Sequence, residues 1–206
     1  LYQGALAVYG AEEMARSYGE LVPVPAQRMR ESHDGMALKL GSRRLHVIDT
    51  PGHARHHHCI WDERSRGWFT GDTFGLSYRE FDLDGRAWIL PTSTPVQFEP
   101  EVLRASVQRL LAFDPACIYL THYGPVGGSG DVPRLGRLLL SLLEQMVAIG
   151  QRCANVPQRH ERLKEELSAI YAASLAEHGL PVTPALLELL ALDIELNAQG
   201  MAVWLD

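Results

Sequence analysis

The sequence TPGHARHHH, residues 50–58, directly follows the apolar segment HVID at residues 46–49 and decides how the chain is interpreted. It places four of the nine histidines within six residues. Imidazole is the commonest protein ligand of zinc and similar metals, and a Pro-Gly turn at a strand end can hold it in place. The stretch therefore predicts a metal centre whose other ligands come from elsewhere in the chain.

Two further polar residues occupy the same kind of position as His53, which follows the strand-like segment 44–48. Asp72 comes just after the segment 67–70, and His122 comes just after the apolar segment 116–120. Side chains at successive strand ends converge on one edge of a sheet, where ligands bind. Two imidazoles and a carboxylate form a reasonable ligand set for zinc, iron or manganese. Each residue alone is more often a turn or surface residue, so the specific signal is their conjunction.

The composition limits the classes of function. A chain of 206 residues with 46% hydrophobic content can bury a substantial core, and its net charge of −6 argues against nucleic acid as a partner. No apolar run is long enough to span a membrane. The three cysteines are odd in number and lack C-x-x-C spacing, which argues against a disulfide framework or a thiolate zinc site. A reduced, cytoplasmic location fits best.

The pattern along the chain predicts an α/β part at residues 1–130 and a helical subdomain at residues 131–206. In the first part, short strands are separated by polar turns, and residues 73–100 form a long irregular loop with aromatic side chains, of the functional or lid-like kind. The predicted strands are 36–40, 44–48, 58–61, 67–70 and 116–120. The predicted helices are 11–20, 101–113, 132–152, 158–177 and 184–199.

Three motifs together resemble one family. They are TPGH at residues 50–53 with further histidines close behind, FTGD at residues 69–72, and YLTHYG at residues 119–124. In this order and spacing they are similar to the metallo-β-lactamase superfamily, and the resemblance covers residues 36–130. It implies an αββα sandwich, here partial, with one or two metal ions at one sheet edge.

The resemblance also implies roles for individual residues. His53 would ligate the first metal, Asp72 would bridge two metals, and His122 would ligate the second. The metal would be one or two zinc ions, with iron as the alternative. A metal-bound hydroxide would attack an ester, thioester, lactone or similar bond of a small-molecule substrate. His57 would orient a ligand or close the pocket, and Tyr123 would contact substrate. No further catalytic residue is assigned, and His56 and His58 are expected to form a polar surface pair.

The sequence departs from this family in one large respect. The motif His-x-His-x-Asp-His, which should precede Thr50, is missing, and only His33 and His46 lie upstream of the first motif. Three ligands divided between two metal positions should bind metal weakly. Either Leu1 is an internal residue of a longer protein, so that this chain is a fragment, or the chain is a degenerate, non-catalytic member that acts as an interaction or dimerisation module. The intact later motifs favour the fragment.

The resulting prediction is a metal-dependent hydrolase when complete, with little activity expected from this chain alone. An iron-dependent oxygenase on the same scaffold is the less favoured chemistry. A truncated sheet would expose apolar strands, so we expect the isolated chain to be poorly stable or prone to aggregation. The helical subdomain is either a cap over the site or a dimerisation element, and the broad leucine face of residues 184–199 favours a homodimer.

Overall fold

The computed structural model describes residues 2–93, 95 and 97–206, and these divide into two compact units, Leu1–Ser32 and His33–Asp206. The strands are β1 Ala37–Leu40, β2 Arg43–Asp49, β3 His58–Asp62, β4 Gly67–Phe69, β5 Cys117–Tyr119 and β6 Pro125–Val126. The helices are α1 Tyr2–Tyr18, α2 Pro100–Leu111, α3 Val132–Cys153, α4 Arg159–His178, α5 Pro184–Glu188 and α6 Ala191–Leu205.

The first unit consists of α1 and an extended segment. The helix begins at Tyr2, earlier than the predicted 11–20, and its backbone is interrupted at Gly10, which has a φ of 78° and a ψ of 162°. It ends before Gly19, whose positive φ suits the position after a helix C-terminus. A single 3₁₀ turn, Ala26–Arg28, lies within the extended segment that follows.

The second unit is built on a six-stranded sheet whose strands are ordered as they occur in the chain. Strands β1 to β4 form antiparallel neighbours, β5 is parallel to β4, and β6 is antiparallel to β5. Because β2 and β4 are both antiparallel to β3, they run in the same direction, and β5 joins them. The C-terminal ends of β2, β4 and β5 therefore lie at one edge of the sheet.

One face of this sheet carries the core. Successive side chains of a strand alternate between the two faces, and the register places Ile48, Cys59, Trp61, Trp68 and Ile118, all buried, on the same face. Helix α2 covers it with its apolar stripe of Leu103, Val107 and Leu110. The indole N–H of Trp68 donates to the carbonyl of Leu110 at 3.0 Å, so the polar group of this buried side chain has a hydrogen-bond partner.

The opposite face is less covered by the described residues. Phe69 is 46% exposed and stacks on Tyr119, with ring centroids 4.6 Å apart. The fold is thus a mixed α/β fold with one sheet, helices on its buried face and helices at its C-terminus, as the sequence predicts for a partial αββα sandwich. The predicted tendency to aggregate stays a prediction.

The long segment between β4 and α2 is irregular, as predicted, but it does not have the exposure of a lid. Phe74, Phe81 and Trp88 are fully buried. The indole N–H of Trp88 donates to Ser174 Oγ of α4 at 2.9 Å. These aromatic side chains therefore fill the space between the sheet and the helices.

The C-terminal helices follow the predicted order, with one difference. Residues 184–199 form two helices, α5 and α6, because the helical bonding is interrupted near Leu190. Thr183 Oγ1 accepts from the Leu186 N–H and caps α5, while Gly179 ends α4 in the left-handed conformation. Buried residues on both sides of position 130 share one core, and the predicted boundary there stays a prediction.

Asp62 is a buried carboxylate that ties the β3–β4 turn to β2. Its oxygens accept from the Arg43 guanidinium, from Ser65 Oγ at 2.7 Å and from the Arg64 N–H at 3.2 Å. Burial alone would raise its pKa, but these hydrogen bonds outweigh burial and lower the pKa to about 2.

We expect Asp62→Asn to lower the free energy of unfolding by about 1–3 kcal/mol at pH 7, because hydrogen bonds to a charged acceptor are weakened. The unfolded carboxyl titrates near 3.8. The stabilisation is therefore complete above that pH and is lost as the pH falls to about 2. Urea unfolding at pH 7 and at pH 2 measures both effects, with the exposed Asp84→Asn as control. A difference between wild type and variant that is the same at both pH values would contradict this account.

Candidate metal centre

His53, Asp72 and His122 meet at the sheet edge formed by the C-terminal ends of β2, β4 and β5. His53 Nε2 lies 3.7 Å from Asp72 Oδ2, and His122 Nε2 lies 3.4 Å from Asp72 Oδ1. The His53 side chain is 11% exposed, that of Asp72 28% and that of His122 53%, so the group runs from the protein interior towards solvent. The parallel orientation of the three strands causes this convergence.

Gly52 places His53. Its φ is +125°, and a Cβ at this position would come within 2.2 Å of the Leu103 backbone nitrogen of α2. Only glycine therefore allows the turn to pass so close to the helix. His53 Nδ1 lies 3.1 Å from the carbonyl oxygen of Thr92. Burial lowers the pKa of His53, which favours neutral imidazole, and a proton on Nδ1 donated to Thr92 leaves the Nε2 lone pair on the side of Asp72.

Asp72 is the centre of the group because its two oxygens face different histidines. Oδ1 is buried and forms no hydrogen bond within the described residues, although His122 Nε2 is 3.4 Å away. A buried carboxylate oxygen without a donor is costly unless a cation or another donor approaches it. The carboxylate is thus arranged to receive positive charge.

His57 lies behind Asp72 and holds its backbone. His57 Nε2 accepts a hydrogen bond from the Asp72 N–H at 3.1 Å, so the ring proton is on Nδ1, which donates to Thr73 Oγ1 at 2.9 Å. Burial is the main cause that lowers the pKa of His57 to about 4, and the ring is neutral near pH 7. A Cβ at position 71 would lie only 2.4 Å from Cε1 of the His57 ring, so glycine at this position leaves room for the ring.

Tyr123 stands beside His122 with a strained backbone. Its φ is +70°, which is uncommon for a residue other than glycine, and its side chain is half exposed. Its ring lies 4.5 Å from that of Tyr78, whose hydroxyl donates to Asp193 Oδ2 of α6 at 2.6 Å. Burial raises the pKa of Asp193, and the Tyr78 hydrogen bond and the nearby His122 partly offset that effect. A helix distant in sequence therefore supports one side of the site.

A second link from α6 supports His53. The side-chain oxygen of Asn197 accepts from the Ser93 N–H at 2.8 Å, and its amide donates to the Pro91 carbonyl at 3.0 Å and to Tyr171 Oη at 2.9 Å. These buried bonds fix the backbone on either side of Thr92, which contacts His53. Sequence reasoning missed Asp193 and Asn197. Their signal was two polar residues four positions apart in a helix that is otherwise mainly apolar.

The remaining residues of the histidine run take ordinary positions. His56 and His58 are exposed, in agreement with a polar surface pair. Cys59 is fully buried, and its Sγ lies 3.3 Å from the Thr70 carbonyl, as expected for a core cysteine.

The donor set fits part of a metal site and not a whole one. Within residues 2–93, 95 and 97–206, no group of three or more His, Cys, Asp or Glu side chains is arranged to hold a metal ion by itself. The arrangement is two imidazole–carboxylate pairs that share Asp72. Its chemistry is that of zinc or iron ligands, and the buried Asp72 Oδ1 is an acceptor without a donor.

Comparison with known families agrees with this geometry. Residues 6–122, more than half of the chain, match the family model described as the metallo-beta-lactamase superfamily.

The chain belongs to the metallo-beta-lactamase superfamily.

Relatives within the superfamily include two hydroxyacylglutathione hydrolases. Over 105 residues the chain is 35% identical to that of Methylobacterium sp. (strain 4-46) and 34% identical to that of Methylobacterium nodulans. In both cases the match covers 50% of this chain and 35% of the relative. The chain thus spans about a third of the length of the curated relatives it matches.

Solved structures show the same superfamily fold. An archaeal metallo-beta-lactamase superfamily protein from Sulfolobus tokodaii matches with a TM-score of 0.58 and 22% identity, over 97% of this chain and 61% of that one. A metallo-beta-lactamase family protein from Thermus thermophilus matches with a TM-score of 0.51 and 18% identity, over 86% and 55%. In the described part of the chain, no helix combines the length and apolar character needed to cross a membrane.

We expect His57→Phe to lower the free energy of unfolding by about 1–3 kcal/mol at pH 7, since the buried Asp72 N–H loses its acceptor. The unfolded imidazole titrates near 6.5 and the folded one near 4. The stabilisation from neutral His57 is therefore complete above 6.5, and the difference between wild type and variant should narrow as the pH falls to about 4.

Urea unfolding at several pH values measures this difference. The control is His56→Phe, a matched change at an exposed neighbour, which should alter stability by less than about 0.5 kcal/mol. Equal losses in the two variants would show that the hydrogen bond from Asp72 is not what His57 contributes.

Proposed function

We propose that this chain supplies part of the metal centre of a metal-dependent hydrolase, with one or two zinc ions, or iron, as the metal. The observation that carries the proposal is the position of Asp72. One carboxylate oxygen faces His53 Nε2 at 3.7 Å and the other faces His122 Nε2 at 3.4 Å, and the second oxygen is buried without a donor. A carboxylate placed in this way suits a bridge between two cations.

In this proposal His53 would hold the first metal, His122 would hold the second, and the Asp72 carboxylate would serve both. A bound metal ion supplies Lewis acidity, which polarises a carbonyl and acidifies a water molecule. The rest of the site prepares these ligands. Thr92 sets the ring orientation of His53, and His57 holds the Asp72 backbone, as hydrogen-bonding partners of metal ligands commonly do. Further ligands must come from outside these three residues.

The proposed substrate is a small thioester. Two relatives are named for hydroxyacylglutathione, in which the acyl group is carried on a thiol. Tyr123 and His122 are each about half exposed, and they form the open side of the group, where a substrate can enter. Tyr78 and Asp193 fix the Tyr123 ring beside His122, which favours Tyr123 as a contact to the substrate.

The second candidate function is a non-catalytic interaction or dimerisation module. It is favoured by the lack, within the described residues, of any group of three side chains able to hold a metal. Leu189, just after α5, and Leu192 and Val203 of α6 are exposed and offer apolar surface for a homodimer. A cytoplasmic location remains part of the proposal.

Zinc binding tests the ligand roles. In a zinc titration of the chain followed by NMR, the ring signals of His53 and His122 should shift together, and Asp72→Asn should weaken binding by about tenfold or more. Asp84→Asn, an exposed carboxylate at a turn, is the matched control and should not change the titration. Shifts confined to His56 and His58 would overturn the assignment.

Hydrolysis tests the reaction. The complete gene product should hydrolyse an S-(hydroxyacyl)glutathione, and substitution of His53, Asp72 or His122 by alanine should lower kcat/KM by at least about a hundredfold, because the metal and its charge stabilisation are lost. His58→Ala, an exposed histidine of the same run, should retain activity. Full activity in the Asp72→Ala variant would overturn the role given to Asp72, and a lack of hydrolysis by the unsubstituted gene product would favour the interaction module.

A further inference from the structure

A cavity lined by none of the proposed metal ligands lies where the β4–α2 segment meets α3 and α4. Its volume is about 350 Å³, near the lower end for small-ligand pockets. We call it the arginine cavity, and its lining includes Arg86, Arg134, Arg137, His178, Glu177 and Trp88. The lining thus brings three guanidinium groups together in a chain with a net charge of −6.

The first arginine is presented by a tight turn. Asp84 and Gly85 both have positive φ, 51° and 73°, and Leu83 and Arg86 exchange two backbone hydrogen bonds of 3.0 and 2.9 Å. Two consecutive positive φ values and this pairing are typical of a type I′ turn. The turn therefore fixes the backbone of Arg86, which lines the cavity.

The second wall is one face of α3. Arg134, Arg137 and Ser141 are spaced three and four residues apart, so their side chains project from the same side of the helix. Arg134 is fixed by two hydrogen bonds to the Asp131 carboxylate, at 2.6 and 2.7 Å, and by one to the Ala87 carbonyl at 2.5 Å. Its charge is balanced by Asp131, and its role is to join α3 to the irregular segment.

The third wall is the end of α4. His178 Nε2 lies 3.1 Å from the Phe81 carbonyl, and Ser174 accepts from the buried Trp88 indole. Side chains of both helices are thus hydrogen-bonded to the segment between β4 and α2. The cavity is formed by fixed elements, so a ligand would meet a preformed site.

Two arginines that line the cavity have no ion-pair partner among the described residues. Arg86 and Arg137 are exposed and form no ion pair among the described residues, a property they share in this unit with Arg64, whereas Arg43 and Arg66 are examples of paired arginines. Among the described residues that line the cavity, Glu177 is the one carboxylate. The pKa of His178 is lowered by burial first and then by the positive charges of Arg134 and Arg86, which agrees with a positive potential in the cavity.

We propose that the arginine cavity binds a small hydroxylated phosphate monoester. A phosphate monoester carries close to two negative charges at neutral pH, which matches Arg86 and Arg137, and guanidinium groups bind phosphate oxygens with paired hydrogen bonds. A monocarboxylate would leave one arginine without a counter-charge. Glu177 disfavours a purely anionic ligand and can accept a hydrogen bond from a hydroxyl group of the same molecule.

Glycerol 3-phosphate is the probe. We expect calorimetric titration of the chelator-treated gene product to give a dissociation constant below about 1 mM, with inorganic phosphate binding more weakly. Removal of metal prevents phosphate–metal contacts from contributing, so the result does not depend on the proposed hydrolase. Arg137→Gln should weaken binding by about tenfold or more, because one charged pair is lost.

Matched variants decide whether the cavity is the site. Arg64→Gln removes an exposed arginine on the β3–β4 turn, without an ion pair among the described residues, and should leave binding unchanged. Glu177→Gln should bring the dissociation constants of glycerol 3-phosphate and inorganic phosphate closer together. Equal weakening by Arg64→Gln and Arg137→Gln would indicate general electrostatic attraction and overturn the proposal, as would a lack of binding by wild-type protein. Arg64 and Arg137 are exposed, so we expect both variants to keep the wild-type fold. Thermal unfolding of each variant checks this.

Discussion

The common direction of β2, β4 and β5 is the constraint on which the rest of the structure depends. Because β2 and β4 both pair antiparallel with β3, they run in the same direction. Strand β5 pairs parallel with β4 and is the third strand with this direction. Their C-terminal ends then lie side by side, so that His53, Asp72 and His122 meet although they are 19 and 50 residues apart in sequence. If β5 paired with β4 in the opposite direction, His122 would lie at the far edge of the sheet.

Around this edge, each chemically important group is held by a second group. His57 accepts from the Asp72 backbone, and Thr92 contacts His53. Asn197 fixes the backbone on both sides of Thr92, and Asp193 fixes Tyr78 beside Tyr123. The helices at the C-terminus therefore support the site from behind through buried polar bonds, which are strong where water is excluded. This support is a more specific role than either a cap or a dimerisation surface.

The site also explains an apparent conflict between motif and geometry. The three motifs are intact, and yet within the described residues no three side chains form a complete metal cluster. Asp72 faces the two histidines with different carboxylate oxygens, so the three side chains form two pairs that share Asp72. Such a carboxylate suits a bridging role in a larger ligand set, and it is poorly stabilised alone because one oxygen is buried without a donor.

The sequence by itself determined the superfamily, through the resemblance of three motifs to that family. It also determined the strand-end positions of His53, Asp72 and His122 and most helices and strands, because these depend on local periodicity and turn chemistry. Only the tertiary structure decided what Phe81 and Trp88 do, since burial of an aromatic residue in an irregular segment has no periodic signal. It also decided the pairing of Ser93 with Asn197 and the placement of Arg86 and Arg137 around one cavity. These residues lie about 50 to 100 positions apart, and they come together when helices pack against the rest of the unit, a result that spacing along the chain does not encode.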